Sequence, residues 1–421
     1  MKVLLAASTF PASDTDAAPA FVKDLVIALK RAYPSLEIDV LAPQYLDETP
    51  PFTAREHYDE HRFRYFCPRS QQKLAGRGIM PAIESNPALL LQVPFLFVAE
   101  GIAMWRHVRR HKPDVIYAHW FTPQGVMAAL VSGVTGVPWV LTSHANDVRI
   151  WRKLPLIGRF IVRWLLPRAA RLTAVSAATR DKMRAFFSDA EWVKLQARLD
   201  VLPMGVDVRS LGAAPAESAG VLKSRYGFAD KQVIYFVGRL VEKKGVLFLL
   251  EAFARLQHRE TVALVIAGDG PLRADLEQRA RALGLGESAQ FVGYVSGQQK
   301  IDFLHLADIV AVPSIETTSG DSEGFPVVIM EALAAGKVCI ASNATGAEGV
   351  LVHGDNGFVV PQQDVGALTT ALQDALYLDE GGRQDLATRA RAAVVALDWA
   401  VIARRTYDFL LAPFSSDRAG P

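Results

Sequence analysis

The chain has 421 residues, half of them apolar, with 46 Lys and Arg against 44 Asp and Glu. That length exceeds what one hydrophobic core supports, so two domains are expected. Cys67 and Cys339 are the only cysteines, far apart and in no metal-ligand spacing, which excludes a disulfide framework and fits a reducing compartment. Short apolar runs then alternate with helical stretches along the chain. The first, residues 3–6, is too short for a signal-peptide core and reads as a strand; residues 38–41, 115–118, 140–142 and 172–175 follow. This alternation predicts parallel sheets covered on both faces.

Between these strands lie several candidate functional groups. The loop TFPASDTDAAPAFVKDL after the first strand offers Phe10, Asp14 and Asp16 as acceptor-side candidates, with solvated loop carboxylates as the competing reading. His57 with His61, and His107 with His111, have the i, i+4 spacing of a helical zinc pair. No Glu follows the first His as in a zincin, which favours ordinary imidazoles on helices. The apolar stretch 87–105 contains Gln92, Pro94 and Glu100, so no segment is expected to span a bilayer. It reads either as a helix packed on the sheet or as a lipid contact. His119 ends the strand VIYAH and His144 follows WVLT, both at carboxyl ends of parallel strands, where ligands of open sheets bind.

Charge is uneven. Residues 1–205 carry 26 basic against 18 acidic side chains, and residues 148–180 carry eight basic ones (Arg149, Arg152, Lys153, Arg159, Arg163, Arg168, Arg171 and Arg180) and no acidic one. Trp151, Phe160 and Trp164 interleave with them. Cations alternating with aromatics describe a helix lying on an anionic membrane surface; a solvated basic face with its Trp packed inward is the alternative. No recognition or stacking motif supports nucleic acid. A link near residues 204–207 and an Ala-, Ser- and Gly-rich connection at 212–221 lead into the second half.

There, VGRLVEKKG follows the strand 233–237 and precedes an amphipathic helix. Gly238 permits a sharp turn, and Arg239 and Lys244 place a guanidinium fork and a point charge on one loop, suited to a diphosphate. Further on, EGFPVVIMEALAAG sets Glu323 and Glu331 on either side of a helix expected to begin near Phe325. Two acceptor-only carboxylates flanking a helix N-terminus match a sugar, a pyrophosphate and a ribose in order. Taken alone, the two are equally a turn carboxylate and a surface helix residue.

VGRLVEKKG, AGDGPLR at 267–273, FVGYV at 291–295 and the Glu pair together resemble the C-terminal half of retaining glycosyltransferases of family 4, of the bacterial cell-envelope and exopolysaccharide type. TSHANDV at 142–148 and LPMGVD at 202–207 are similar to the family's earlier landmarks. The resemblance implies the GT-B architecture: α/β, two Rossmann-like doubly wound parallel-sheet domains facing a central cleft. It implies an acceptor-binding domain at 1–205, a donor-binding domain at 206–395, and a C-terminal helix at 396–421 packing back on the first domain. It further implies that Arg239 and Lys244 bind the diphosphate, that Glu323 contacts the donor sugar, that Glu331 binds ribose and that His144 sits over the reacting sugar. Gly238, Gly268, Gly324, Phe325, Pro326 and Val327 would complete the donor site, with base contacts near Tyr294 and Val295. The family's Gly pair in the first loop is replaced by Ala17 and Ala18, which leaves that loop's role open.

The expected function is transfer of a sugar from a UDP- or GDP-sugar to a glycan or lipid-linked acceptor, with retention and without metal or cofactor. The expected location is cytoplasmic, extending to the cytoplasmic face of the inner membrane. A sugar-nucleotide epimerase or hydrolase on the same fold remains open, as does a non-catalytic sugar-nucleotide-binding subunit of a polysaccharide assembly complex. A nicotinamide dehydrogenase is disfavoured, since no G-x-G-x-x-G opens a helix after an early strand.

Overall fold

A computed structural model describes the chain apart from residues 14, 15, 17, 46–48, 77, 145–147, 149, 150, 152–154, 214–216, 325 and 416–421. The chain forms two compact units, Met1–Gly205 with Trp399–Pro421, and Val206–Asp398.

The first unit is built on an eight-stranded sheet: β1 (Lys2–Ala6), β2 (Glu37–Pro43), β3 (Phe52–Ala54), β4 (Asp59–Phe63), β5 (Val115–His119), β6 (Trp139–Ser143), β7 (Arg171–Ala174) and β8 (Leu199–Val201), in the order β3-β4-β2-β1-β5-β6-β7-β8. All neighbours are parallel except β3 and β4. The chain works outward from β1 and then returns to its other side at β5, so the order reverses between them and opens a crevice at the strands' carboxyl ends. β5 and β6 are buried along their whole length, as a sheet covered on both faces requires.

Two departures from the sequence reading concern this unit. His57 and His61 do not share a helix: His57 lies in the turn before β4, and His61 is on that strand. β4 reads DEHRF and lacks any apolar alternation, yet Glu60 and Arg62 are 1% and 4% exposed. Glu60 takes hydrogen bonds from both Arg55 and Arg62, so the strand is buried through paired charge. The second departure is the helical run Pro87–His111, which by length and composition is apolar enough to cross a membrane. One face of its helix Val93–His111 packs inward through Leu96, Glu100, Met104, His107 and Val108. Glu100 accepts a hydrogen bond from Gln124 (3.2 Å), and burial pushes its carboxyl up to about 8. The other face leaves Phe95, Val98, Ile102 and Trp105 exposed at helical spacing.

The terminal helix Trp399–Ser415 belongs to this unit. Its Tyr407 stacks on Tyr33 with ring centres 3.8 Å apart, Phe409 meets Tyr117 edge-on, and Arg405 donates to the Val201 carbonyl.

The second unit carries β9 (Gln232–Val237), β10 (Val262–Ala267), β11 (Ala289–Gly293), β12 (Ile309–Val312), β13 (Val338–Ser342) and β14 (Phe358–Val360), all parallel, in the doubly wound order β11-β10-β9-β12-β13-β14. All six residues of β10 are buried. Leu249, Leu250 and Phe253 of the helix Val246–Ala254 join Ile234, Leu264 and Ile309 in one core, which fixes the loops above the β9/β12 switch point.

Candidate functional site

In the second unit, the loops following β9, β10 and β12 are laced together through their backbones. Gly238 N–H donates to Ala267 O, Leu240 N–H to Asp269 O, and Ile315 N–H to Lys243 O at 2.8 Å. Two glycines allow this approach. At Gly245 (φ +66°) a Cβ would lie 1.9 Å from the Pro313 carbonyl oxygen, and at Gly268 (φ +136°) 1.9 Å from that of Gly238. The loop after β9 is thereby pressed against the one after β12, which carries Glu323.

Lys244 Nζ lies 3.2 Å from Glu323 Oε1, with Lys243 Nζ 3.8 Å from the same oxygen and 3.4 Å from Asp321. Burial alone would raise the Glu323 carboxyl, but the two ammonium groups hold it below its ordinary value, so it stays ionised. Arg239 is exposed and makes no ion pair with any described residue. It shares the loop after β9 with the two lysines that stand beside Glu323. Sequence reasoning named Lys244 and missed Lys243 and Asp321, although the adjacent KK in VGRLVEKKG was the available signal.

Glu331 lies on the helix Val327–Ala334, which starts within two residues of the expected position near Phe325; Pro326 is its N-cap residue. Phe325 lies outside the described residues. Glu331 Oε1 accepts from Lys300 Nζ at 2.6 Å, a partner on the helix Gly297–Leu306 that nothing in the sequence pattern marked. The buried Tyr235 hydroxyl makes no hydrogen bond with a described residue, and burial together with the Glu331 charge holds its pKa up. Gly324 is half-buried beside Glu323. After β11, Val295 is buried and Tyr294 is half-exposed. Gly268, Tyr294, Arg239 and Glu323 therefore all follow the carboxyl ends of strands in one parallel sheet.

In the first unit, His119 and His144 meet. His119 Nδ1 and His144 Nε2 are 3.1 Å apart, one ring donating to the other. The His144 ring is flanked by Trp120 (4.6 Å between ring centres) and Phe21 (5.2 Å). Trp120, the residue after β5, takes a positive φ of 72°. Burial pushes His144 down to about 3 and His119 well below its ordinary value, so both imidazoles are neutral at pH 7. Neither Trp120 nor Phe21 was singled out from sequence, because each reads as an ordinary core aromatic.

The other acceptor-side candidates serve the loop itself. Phe10 is fully buried and packs edge-on against Tyr58, presenting no ring to solvent. Asp16 accepts from the backbone N–H of Ala12 and Ala18 and from the Tyr45 hydroxyl, so most of its acceptor capacity is spent within the loop. Burial would raise its pKa, but those hydrogen bonds, Tyr45 foremost, hold it down. Asp14 lies outside the described residues, as does Ala17. Cys67 is exposed and Cys339 buried, both as free thiols.

In the basic stretch, Arg149, Arg152 and Lys153 lie outside the described residues. Arg163 pairs with Glu191, Arg180 with Asp181, and Arg168 lies over the Trp164 ring. The helix Pro155–Leu165 leaves Leu156 and Phe160 87% and 72% exposed, so here apolar side chains face solvent beside cations.

Residues 54–210 match the glycosyltransferase family 4 model and residues 222–393 the glycosyl transferases group 1 model. The chain is 30% identical over 315 residues to a GDP-mannose-dependent α-(1-6)-phosphatidylinositol monomannoside mannosyltransferase of Mycobacterium tuberculosis, covering 73% of this chain and 78% of that protein. It is 29% identical over 338 residues to TuaC of Bacillus subtilis, a glycosyltransferase named for teichuronic acid biosynthesis, covering 79% of each. The fold is similar to sucrose-phosphate synthase from Thermosynechococcus elongatus, with a TM-score of 0.76, 20% identity and 99% of each chain covered. The chain is a GT-B glycosyltransferase belonging to family 4.

Proposed function

We propose that this glycosyltransferase moves a hexosyl group from a nucleoside diphosphate sugar to a hydroxyl of a lipid-linked or glycan acceptor, with retention of anomeric configuration and without a metal. The observation that carries the donor assignment is the pair Lys243 and Lys244 beside ionised Glu323, with Arg239, exposed and in no ion pair with a described residue, on the same strand-end loop as the lysines. In this reading Arg239 and Lys244 take the diphosphate oxygens and stabilise the charge that develops as the glycosidic bond breaks, the main contribution such a site makes. Lys244 then exchanges its carboxylate partner for phosphate, which frees Glu323 to accept hydroxyl protons of the sugar. Glu331 is left to the ribose. The resemblance assigns His144 to the reacting sugar, and a neutral imidazole suits hydrogen bonding to a hydroxyl. The leaving phosphate accepts the acceptor's proton in a front-side attack.

The donor named for the mycobacterial relative supports GDP-mannose as the first candidate to test, with UDP-hexoses next. Incubation with each donor and a lipid-linked acceptor, followed by NMR of the product, is expected to give a glycoside of the donor's own anomeric configuration. An inverted linkage, or free sugar alone with every acceptor, would reject this reading; the second result would revive the hydrolase alternative.

We propose that the acceptor is met at an anionic membrane surface on the cytoplasmic side. Supporting this are the exposed apolar rows of the helices Val93–His111 and Pro155–Leu165, with Arg106, Arg109, Arg110, Arg159 and Arg163 beside them. Each cation near such a surface is worth about 1 kcal/mol. Co-sedimentation with vesicles containing anionic lipid is expected at low salt and is expected to weaken as salt rises. Equal recovery in the supernatant with and without vesicles would refute it.

A further inference from the structure

Away from the strand-end crevices, the first unit gathers three histidines around one carboxylate. Asp39 is on β2, His61 on the neighbouring β4, and His107 and His111 lie one turn apart on the helix Val93–His111 that packs over them. His107 Nε2 is 2.7 Å from Asp39 Oδ2. Ligand atoms of Asp39, His107 and His111 all lie within 4.8 Å of one another. Around a tetrahedral zinc with bonds near 2.0–2.1 Å, ligand atoms are about 3.3–3.5 Å apart, so closure needs only side-chain adjustments. The His61 ring centre stands 4.6 Å from that of His107 and 5.5 Å from that of His111, within reach of a fourth position.

The helix supplies its two histidines at i, i+4, the spacing that puts two imidazoles on one face. Solvent reaches the cluster through a hollow lined by His61, His107, His111, Arg106 and Arg110. Three imidazoles beside one carboxylate are a donor set that suits a zinc-class divalent cation. The opposing influence is cationic. Lys2 Nζ lies 3.3 Å from Asp39, and the two arginines stand at the rim. Lys2 also reaches Glu37 at 3.8 Å, so it has a second partner when it leaves Asp39.

We propose that Asp39, His107 and His111, with His61 beside them, form a zinc-class divalent cation site that ties the Val93–His111 helix to the outer strands of the first sheet. Lys2 is its resting counter-charge, displaced when a metal enters. The site is structural and owes nothing to the donor assignment. It pins the helix that carries the exposed row Phe95, Val98, Ile102 and Trp105 to the polar strand β4.

The test uses the full, tag-free chain, freed of metal with a chelator and desalted, titrated calorimetrically with Zn2+, with Co2+ as an absorbance reporter. One equivalent per chain is expected, with the intense visible bands of tetrahedral cobalt. His111 is half-buried, so His111→Ala is expected to fold and to lose at least tenfold in affinity. Lys2→Ala is expected to bind more tightly than the wild type, and His258→Ala, an exposed histidine elsewhere, to bind unchanged. Stoichiometric binding that survives His111→Ala undiminished would overturn the proposal, and so would a wild-type chain that takes up no zinc or cobalt.

Discussion

The strand-end sites of the two units are made of opposite chemistry. In the second unit the loops bring Lys243, Lys244, Asp321 and Glu323 together, with Arg239 on the same loop as the lysines, and Glu323 stays ionised because two ammonium groups stand beside it. In the first unit the equivalent edge carries His119 and His144 packed among Trp120 and Phe21, and both histidines stay uncharged because burial forbids the proton. One crevice is therefore suited to hold a fixed polyanion, and the other to share neutral hydrogen bonds with hydroxyls. The same fold delivers both because strand ends fix position while loop composition fixes polarity.

The sharpest way to break this contrast is Lys244→Ala. Removing one cation aimed at a leaving group costs about 10²–10³ in turnover, and the loss is expected in kcat/KM with circular dichroism unchanged and acceptor binding intact. Wild-type turnover in this variant would remove the donor role from the charged crevice. A smaller effect tests the neutral one. With a folded pKa near 3 and an unfolded value near 6.5, His144 binds fewer protons folded than unfolded between those limits. Its contribution to stability is thus complete above pH 6.5 and drains away as the pH falls towards 3, by up to about 1.4 kcal/mol per pH unit. Urea melts at stepped pH are expected to show this slope in the wild type and a shallower one in His144→Asn. Parallel slopes for the two chains would mean that His144 is not held neutral by its surroundings.

The strands that lie in apolar surroundings were legible from sequence. Residues 3–6, 38–41, 115–118 and 233–237 all fall within β1, β2, β5 and β9, because a buried parallel strand must be a run of apolar side chains. β4 was not legible: its burial depends on Arg55 and Arg62 both reaching Glu60, a pairing that exists only once the chain has folded. The same reason hid Lys300, whose partner Glu331 lies 31 residues away. His107 and His111 showed their spacing, but Asp39 and His61 join them only through the strand order. His144 was named from its place after a strand, whereas its contact with His119 depends on β5 and β6 being neighbours in the sheet.

The glycines at 245 and 268 have a consequence for engineering. Carbonyl oxygens of Pro313 and Gly238 occupy the space in which any larger residue would place its first side-chain carbon. A library that diversifies this enzyme towards new sugars would gain nothing by randomising those two codons, since every replacement collides with main chain that has nowhere to retreat. Altered selectivity must be sought among the side chains that rise from that rigid floor.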